Sequence, residues 1–538
     1  MLPRGLALGL AGLLLLTVCG CGSRETVVER GNREGVLHSA VGAEPESLDP
    51  HVITAYTTMQ LELAFFEGLT AVDEATSKPL PAAARSWEVS DDGLTWTFHL
   101  APDLKWSDGT AITAPTFRDS FARALAPAMA AEYAYVLYNI KHAAAFNAGE
   151  ITDFARVGVR APDDATLVFE LAQPTPGLAS ILTLAIAFPV PLHVIAQHGD
   201  LHSRSNRWTR PENIVGNGPF KVAEWSPNQR LTGVRNPNFR DAANVTLNGV
   251  AFYPYENATA QEAAFRAGQL HLTSEVPLTK IAPYRAEHPD QLRIDPFVLT
   301  GFMRFNTTRP PFDDVRVRRA LTMAIDRTAL TDHVFKAGET VATSLNPPGI
   351  GGYTARAAIG YDPDQARTLL AAAGYPGGKG FPVVEAMSRA REMNQSLLEA
   401  IQQMWRRELG IEMRVAMKEQ RVWLDDETQL NYELSNARWI GDYVDPLTFL
   451  ELFLTDSGNN STGWGNATYD QLVSRASATA DEAQRFELYQ QAEAILIAES
   501  PIAPIYHGTQ SYLIRPEVKG WPPSLLGFHR YHIVRLEP

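Results

Sequence analysis

Hydrophobic and polar positions along the chain switch repeatedly between a period of two and a period near four. Val36-Leu37-His38-Ser39-Ala40-Val41 predicts a strand, and Met59 to Phe66 a helical patch that stops at Gly68. Trp87 and Val89 alternate with polar neighbours, Asp91-Asp92-Gly93 supplies a turn, and Leu94, Trp96, Phe98 and Leu100 alternate on the return. That combination predicts a hairpin. After a second turn at Ser107-Asp108-Gly109, Phe117, Phe121 and Leu125 recur four apart, so a helix is expected from about Pro115 with Thr113 as its cap. Another hairpin is predicted from Val157-Gly158-Val159, the turn Pro162-Asp163-Asp164, and Thr166 to Leu171. Gly216-Asn217-Gly218 turns into a strand at Phe220-Lys221-Val222. Further helices are predicted at Asp314 to Ile325 with Asp313 as cap, at Asp364 to Ala373 stopped by Gly374, and at Asn394 to Leu409 stopped by Gly410. The last carries Leu397, Leu398, Ile401, Met404, Trp405 and Leu409 on one stripe, the pattern of a helix packed on a core. Strands and helices interleave from end to end, which places the chain in the α/β or α+β class.

The first twenty residues follow a different rule. A short basic start at Arg4 precedes an apolar run from Gly5 to Val18 and then small residues, the layout of a secretory signal. Val18-Cys19-Gly20-Cys21 resembles a bacterial lipobox, and Cys21, preceded by Gly20, fits the lipidated position where Cys19, preceded by Val18, does not. The expectation is a lipoprotein signal peptide at 1–20, a lipid on Cys21 and a flexible tether at 21–35; a plain cleaved signal is the alternative. Both cysteines of the chain lie here, so no disulfide and no cysteine-based site is expected beyond them.

Composition narrows the rest. With 538 residues, 45% hydrophobic and 20% charged, the chain is long enough for several domains and too apolar for disorder. Its 47 basic against 61 acidic residues give a net charge of -14, which argues against nucleic acid as a partner. Catalytic motifs are missing: there is no H-E-x-x-H, G-x-S-x-G, Walker-type loop or dinucleotide fingerprint. Gly216-Asn217-Gly218 is followed by Pro219, which removes a backbone donor where a phosphate cradle needs one. His193 and His198 stand five apart and do not share a helix face, while Asp91-Asp92 and Asp163-Asp164 read as turn formers. No catalytic residue, no metal site and no cofactor is expected.

Six stretches, in order, resemble one family. They are Glu44-Pro45-Glu46-Ser47-Leu48-Asp49-Pro50; Phe66-Glu67-Gly68-Leu69; Ser86 to Phe98 continuing through Lys105 to Thr110; Gly216 to Phe220; Phe305-Asn306-Thr307 with Pro310 to Leu321; and Asp442-Tyr443 with Asp445-Pro446. The chain is similar over about residues 36 to 530 to the bacterial extracellular solute-binding proteins of family 5, which serve oligopeptide and dipeptide ABC importers.

The resemblance implies an α/β, two-lobed, Venus-flytrap fold with an extra inserted domain and two inter-lobe crossings forming a hinge. By analogy, lobe 1 comprises 36–66, 191–296 and 506–538, the insertion 67–190, and lobe 2 297–505, with crossings near 297 and 505. It implies a peptide ligand and an ABC permease as partners, a monomer, and a periplasmic or envelope location with an N-terminal lipid anchor. Other cargo on the same fold, such as a murein peptide, metal chelate, haem or oligosaccharide, is the alternative, and an envelope hydrolase a more distant one. In this family an aspartate just after a tryptophan holds the ligand's amine. Here the segment is Trp439-Ile440-Gly441-Asp442-Tyr443, which gives that role to Asp442, with Arg438, Trp439 and Ile440 as a strand edge and Tyr56, in a loop, on the opposite side. A basic residue that relatives place three before the tryptophan is replaced by Asn436, leaving Arg438 and Arg421 as candidates for a ligand carboxylate. Arg309, Arg316, Arg318 and Arg319 are expected on a solvated helix face, and Phe302, Phe305 and Trp225 in core or hinge packing.

Overall fold

The computed structural model describes residues 25–537, so the expected signal peptide and Cys21 lie outside the described residues. From Thr26 onward the expected tether is corrected: Val27–Glu34 is a helix. Its start is a reciprocal capping box, in which the Glu29 N–H donates to Thr26 Oγ1 at 3.1 Å and the Thr26 N–H to Glu29 Oε2 at 2.7 Å. Gly35 ends it in the left-handed region at φ 69°. Val28 is buried, its N–H donates to the Gly268 carbonyl at 2.9 Å, and the Asn32 amide meets the His271 ring at 3.1 Å. These contacts dock the helix on the body and leave it no freedom as a tether.

Three main sheets follow. The first takes strands Val36–Val41, Gly249–Pro254, Arg230–Arg235 and Phe220–Ser226, in that spatial order, with the first pair parallel and the rest antiparallel. The second is built wholly from residues 84–170: Ala84–Val89, Thr95–Leu100, Thr166–Glu170 and Val159–Arg160, all antiparallel. Trp96, Phe98 and Leu100 alternate inward as the sequence pattern requires. Helix Ala114–Ala124 covers that face, Thr113 caps it through Thr116, and Phe121 meets Phe169 edge-on at 5.2 Å.

The third sheet has six strands in the order Thr340–Val341, Ile502–Leu513, Leu292–Phe305, Leu434–Ile440, Val384–Arg389 and Met413–Lys418. Its two long members, Leu292–Phe305 and Ile502–Leu513, pair antiparallel from Leu292 opposite Leu513 to Arg304 opposite Ile502. A register shift interrupts them between Pro296 and Thr300. Just past one end of this ribbon, bridges from Ser39 to Leu272 and from Leu272 to Ile514 reach the first sheet; its other end is the centre of the third. The chain is therefore an α/β, two-lobed molecule joined by a double strand.

Helix Glu392–Leu409 lies on the third sheet, and its Leu397, Leu398, Ile401, Trp405 and Leu409 are almost fully buried. Each such side chain contributes about 1.5–3 kcal/mol of burial, and the Trp405 indole finds the Leu321 carbonyl at 2.9 Å. Two local expectations are corrected. The helix expected from Asp314 is Val315–Met323, and its cap is Asp314, which accepts from the Arg316 N–H at 2.8 Å, not Asp313. Arg318 is no part of a solvated face: it is 4% exposed, and its guanidinium donates to the carbonyls of Glu499, Ser500 and Phe312. The end of helix Glu482–Glu499 docks there, and its free carbonyls recruit the charge. Phe302 and Phe305 are fully buried, and Trp225 is partly buried with its indole donating to Glu44.

Candidate functional site

Strand Leu434–Ile440 ends in a turn whose geometry is fixed by a few short bonds. The Gly441 N–H donates to the Val298 carbonyl at 2.8 Å, and a Cβ at Gly441 would lie 2.5 Å from the Val298 side chain, so only glycine allows this approach. The Asp442 N–H donates to Thr448 Oγ1 at 3.0 Å, and the Trp439 indole donates to the Thr448 carbonyl at 2.8 Å. The acid that forms the turn before Pro446 is Asp445, which accepts from the Leu447 N–H at 2.9 Å and the Tyr489 hydroxyl at 3.1 Å. The Asp442 carboxylate is thus left for other work. It forms no ion pair among the described residues, and burial pushes its pKa up to about 6.

Around it lies a cavity of about 230 Å³ whose wall includes Arg438, Trp439, Ile440, Gly441 and Asp442 on one side and Tyr56 on the other. Five of the six residues that the sequence offers for ligand contact, Asp442, Trp439, Arg438, Ile440 and Tyr56, therefore meet at one cavity. Tyr56 differs from expectation in its setting. It opens helix Tyr56–Glu62 instead of lying in a loop, and it offers a ring to the wall, not a strand edge. That ring packs edge-on against Phe297 at 5.6 Å and stacks with Phe528 at 5.7 Å, and its hydroxyl donates to the Leu526 carbonyl at 2.8 Å. Gly527 sits so close that a Cβ there would fall 2.0 Å from the Tyr56 oxygen. Arg438 reaches the wall, but Arg421, exposed on helix Gln420–Thr428, does not line it. Asn436 is buried, donating to Ser388 Oγ at 3.2 Å.

The rest of the wall was not legible beforehand. Thr54, Met59, Tyr133, Leu184, Leu526 and Phe528 complete it. Burial first, and the charge of Asp442 second, raise the pKa of the Tyr133 and Tyr135 hydroxyls, which stand with ring centroids 5.9 Å apart. Glu451 lies behind, accepting from the Tyr443 hydroxyl at 3.1 Å. Burial raises its pKa to about 7, the Tyr443 bond working against this and the charge of Asp442 with it. Asp442 is thus a buried carboxylate faced by aromatic rings with no ion pair among the described residues, an arrangement that leaves its charge uncompensated. Among the described residues no group of three His, Cys, Asp or Glu is placed to hold a metal ion, and no helix is long and apolar enough to cross a membrane.

Comparison with known proteins agrees with this architecture. Residues 78–461 match the family model described as bacterial extracellular solute-binding proteins, family 5 middle. The chain is 35% identical to the probable deoxycholate-binding periplasmic protein YgiS of Escherichia coli K12 over 491 residues, 89% of each chain. It is 32% identical to the periplasmic oligopeptide-binding protein OppA of Salmonella typhimurium, covering 89% of this chain and 88% of that one. Among solved structures, the Escherichia coli murein tripeptide binding protein MppA superposes with a TM-score of 0.79 at 30% identity, covering 93% of this chain and 98% of that one. The chain therefore belongs to family 5 of the bacterial extracellular solute-binding proteins.

Proposed function

We propose that the protein captures short peptides by their free α-amino group between its two lobes and delivers them to an ABC permease. The observation that carries this reading is Asp442, a desolvated carboxylate with no cationic partner among the described residues, in the wall of a partly aromatic cavity. An ammonium taken from water needs such a partner, and a peptide supplies it whatever its side chains. The ends of the strand edge at Arg438 to Ile440 are available to a ligand main chain, and Trp439 and Tyr56 to its side chains. Relatives named as oligopeptide- and murein-peptide-binding proteins support the same cargo class. Ligand contacts from both sides of the cavity favour a closed state. The hinge of this reading lies in the two long strands, near 297 and 505, with 67–190 as an insertion. The protein acts without catalysis, as a monomer, held at the envelope by lipid on Cys21.

A second reading has one observation in its favour. The relative at 35% identity is named for deoxycholate, an amphiphile with a carboxylate and no amine, and Tyr56, Tyr133, Trp439 and Phe528 offer the apolar contact it needs. Calorimetry separates the two. Asp442→Ala is expected to weaken binding of free-amine peptides by at least about tenfold and to leave N-acetylated peptides unaffected. Equal loss for both forms, or binding of deoxycholate alone, removes the amine assignment.

A further inference from the structure

Near its C-terminus the chain leaves one lobe, enters the other and comes back. Strands Val518–Lys519 and Arg535–Leu536 pair antiparallel, and the Thr246 hydroxyl donates to the Val534 carbonyl at 3.1 Å. Val518 and Tyr531 are buried in the core that carries the first two sheets, so this hairpin is rooted in that lobe. Between its arms the Trp521 and His529 rings stack at 3.9 Å. The tip is a turn at 524–527, closed by the Gly527 N–H donating to the Ser524 carbonyl at 3.0 Å, with Gly527 at φ 64°.

The tip belongs to the other lobe. Leu526 is 4% exposed, and among the described residues every other buried member of its apolar cluster lies between Val298 and Ile502. The Val298 N–H donates to the Leu525 carbonyl at 2.9 Å. That donor is free because pairing of the two long strands is interrupted between Pro296 and Thr300. The hairpin thus fastens to the second lobe at the break in the double strand that joins the lobes. From helix Tyr56–Glu62, the Tyr56 hydroxyl and the Gln60 amide donate to the Leu526 and Gly527 carbonyls at 2.8 Å and 2.7 Å. One residue past the Trp521–His529 stack, the Arg530 N–H and guanidinium each reach the buried Glu74 carboxylate at 2.7 Å. Rotation of the lobes about the break must bend this hairpin or draw Leu526 out of its core, and both oppose the motion.

We infer that the C-terminal hairpin is a latch across the hinge, rooted in one lobe and seated by Leu526 in the other, which holds the lobes together around a bound ligand. The inference rests on the reading of two lobes that close on a ligand and adds the element that resists their reopening. Leu526 and Phe528 also line the Asp442 cavity, so an occupant packs against the latch itself. That contact is present only while the tip is seated, and through it occupancy biases the lobes.

The test uses the full mature chain, small-angle X-ray scattering and stopped-flow release of a free-amine tripeptide, tri-alanine. Leu526→Ala removes the anchor of the tip; Trp521→Ala removes the stack at its neck, from outside the wall of the Asp442 cavity. Both variants, without ligand, are expected to show a larger radius of gyration than the unliganded wild type. Trp521→Ala is expected to release tri-alanine about tenfold faster with little change in association rate. Thermal unfolding checks that each variant folds, and Gly527→Ala, whose Cβ would fall 2.0 Å from the Tyr56 oxygen, unseats the tip by a third route. Folded variants that match the wild-type radius overturn the latch, and tri-alanine that still compacts the wild type then leaves the closing reading standing. Expanded variants beside a wild type that tri-alanine does not compact overturn closure on peptide and support the latch. Expanded variants that release tri-alanine at the wild-type rate overturn its role in holding the ligand.

Discussion

Thr448 holds Asp442 in place: its hydroxyl accepts the Asp442 N–H at 3.0 Å, and the threonine is fully buried. Replacing it with valine keeps the shape and removes the acceptor. The Asp442 N–H is then left without a partner, a loss of about 1–3 kcal/mol, and the carboxylate loses its fixed direction. Thr448→Val is expected to weaken binding of a free-amine peptide by roughly 5- to 50-fold, measured by calorimetry, and Thr448→Ser to restore it. A variant that loses stability with unchanged affinity refutes the positioning role.

Asp442 also makes binding and stability respond to pH in opposite directions. Its pKa in the fold is about 6, raised by burial, against about 3.9 in an unfolded chain. The folded state therefore holds this proton more tightly. The contribution of the group to stability is greatest below pH 4, falls as pH rises from about 4 to about 6, and stays low above that. Asp442→Asn is expected to stabilise the unliganded protein at pH 7 by about 1–2 kcal/mol and to leave it unchanged near pH 4, as read by urea unfolding. Affinity for an ammonium runs the other way. It falls about tenfold per pH unit below 6 in the wild type, and Asp442→Asn removes that slope. The group faces Tyr133 and Tyr135 across the cavity and Glu451 behind it; Glu451, with a pKa of about 7, is already protonated where Asp442 takes up its proton, so Glu451→Gln is expected to leave the pH at which affinity begins to fall unchanged.

Helix Val27–Glu34 gives a prediction of its own. The Thr26 hydroxyl and the Glu29 carboxylate cap each other's backbone. Thr26→Ala is expected to cost about 1 kcal/mol, seen as faster amide hydrogen exchange across residues 27–34 with little change elsewhere. Uniform slow exchange in the variant shows that docking of Val28, and not the cap, holds the helix.

That helix marks how far local pattern reaches. Thr26-Val27-Val28-Glu29 is a capping-box sequence, but the surrounding polar residues read as a tether because the contact with Gly268 lies more than two hundred residues away. The hairpins, the Glu392–Leu409 stripe and its Gly410 stop were legible because their signals are local in period and turn chemistry. Arg318 was misread for the opposite reason: a helix face shows its charge in sequence and hides the helix end that docks on it. In the cavity, Asp442 and Trp439 were found through a short family segment. Phe528, Tyr133 and Leu184 carry no such mark, since only the tertiary fold brings Phe528 against Tyr56.

The loop that begins Glu44-Pro45-Glu46 returns to the core through an ion pair that tests how its family segment works. Arg123 is 2% exposed and holds Asp49 with two bonds, at 3.0 Å and 2.5 Å, while the Trp208 indole reaches the same carboxylate at 3.3 Å. The same guanidinium donates to His51 Nδ1 at 2.9 Å, which makes that nitrogen an acceptor and leaves Nε2–H to donate to the Phe188 carbonyl at 3.0 Å. Burial, and then the charge of Arg123, keep His51 neutral, with a pKa near 4. Arg123→Met leaves Asp49 as a buried unpaired anion and is expected to cost about 3–5 kcal/mol in urea unfolding at pH 7. Asp49→Asn in the same background removes the stranded charge and is expected to recover part of that loss. A double variant no more stable than the single one shows that packing of the arginine, and not its charge, secures the loop.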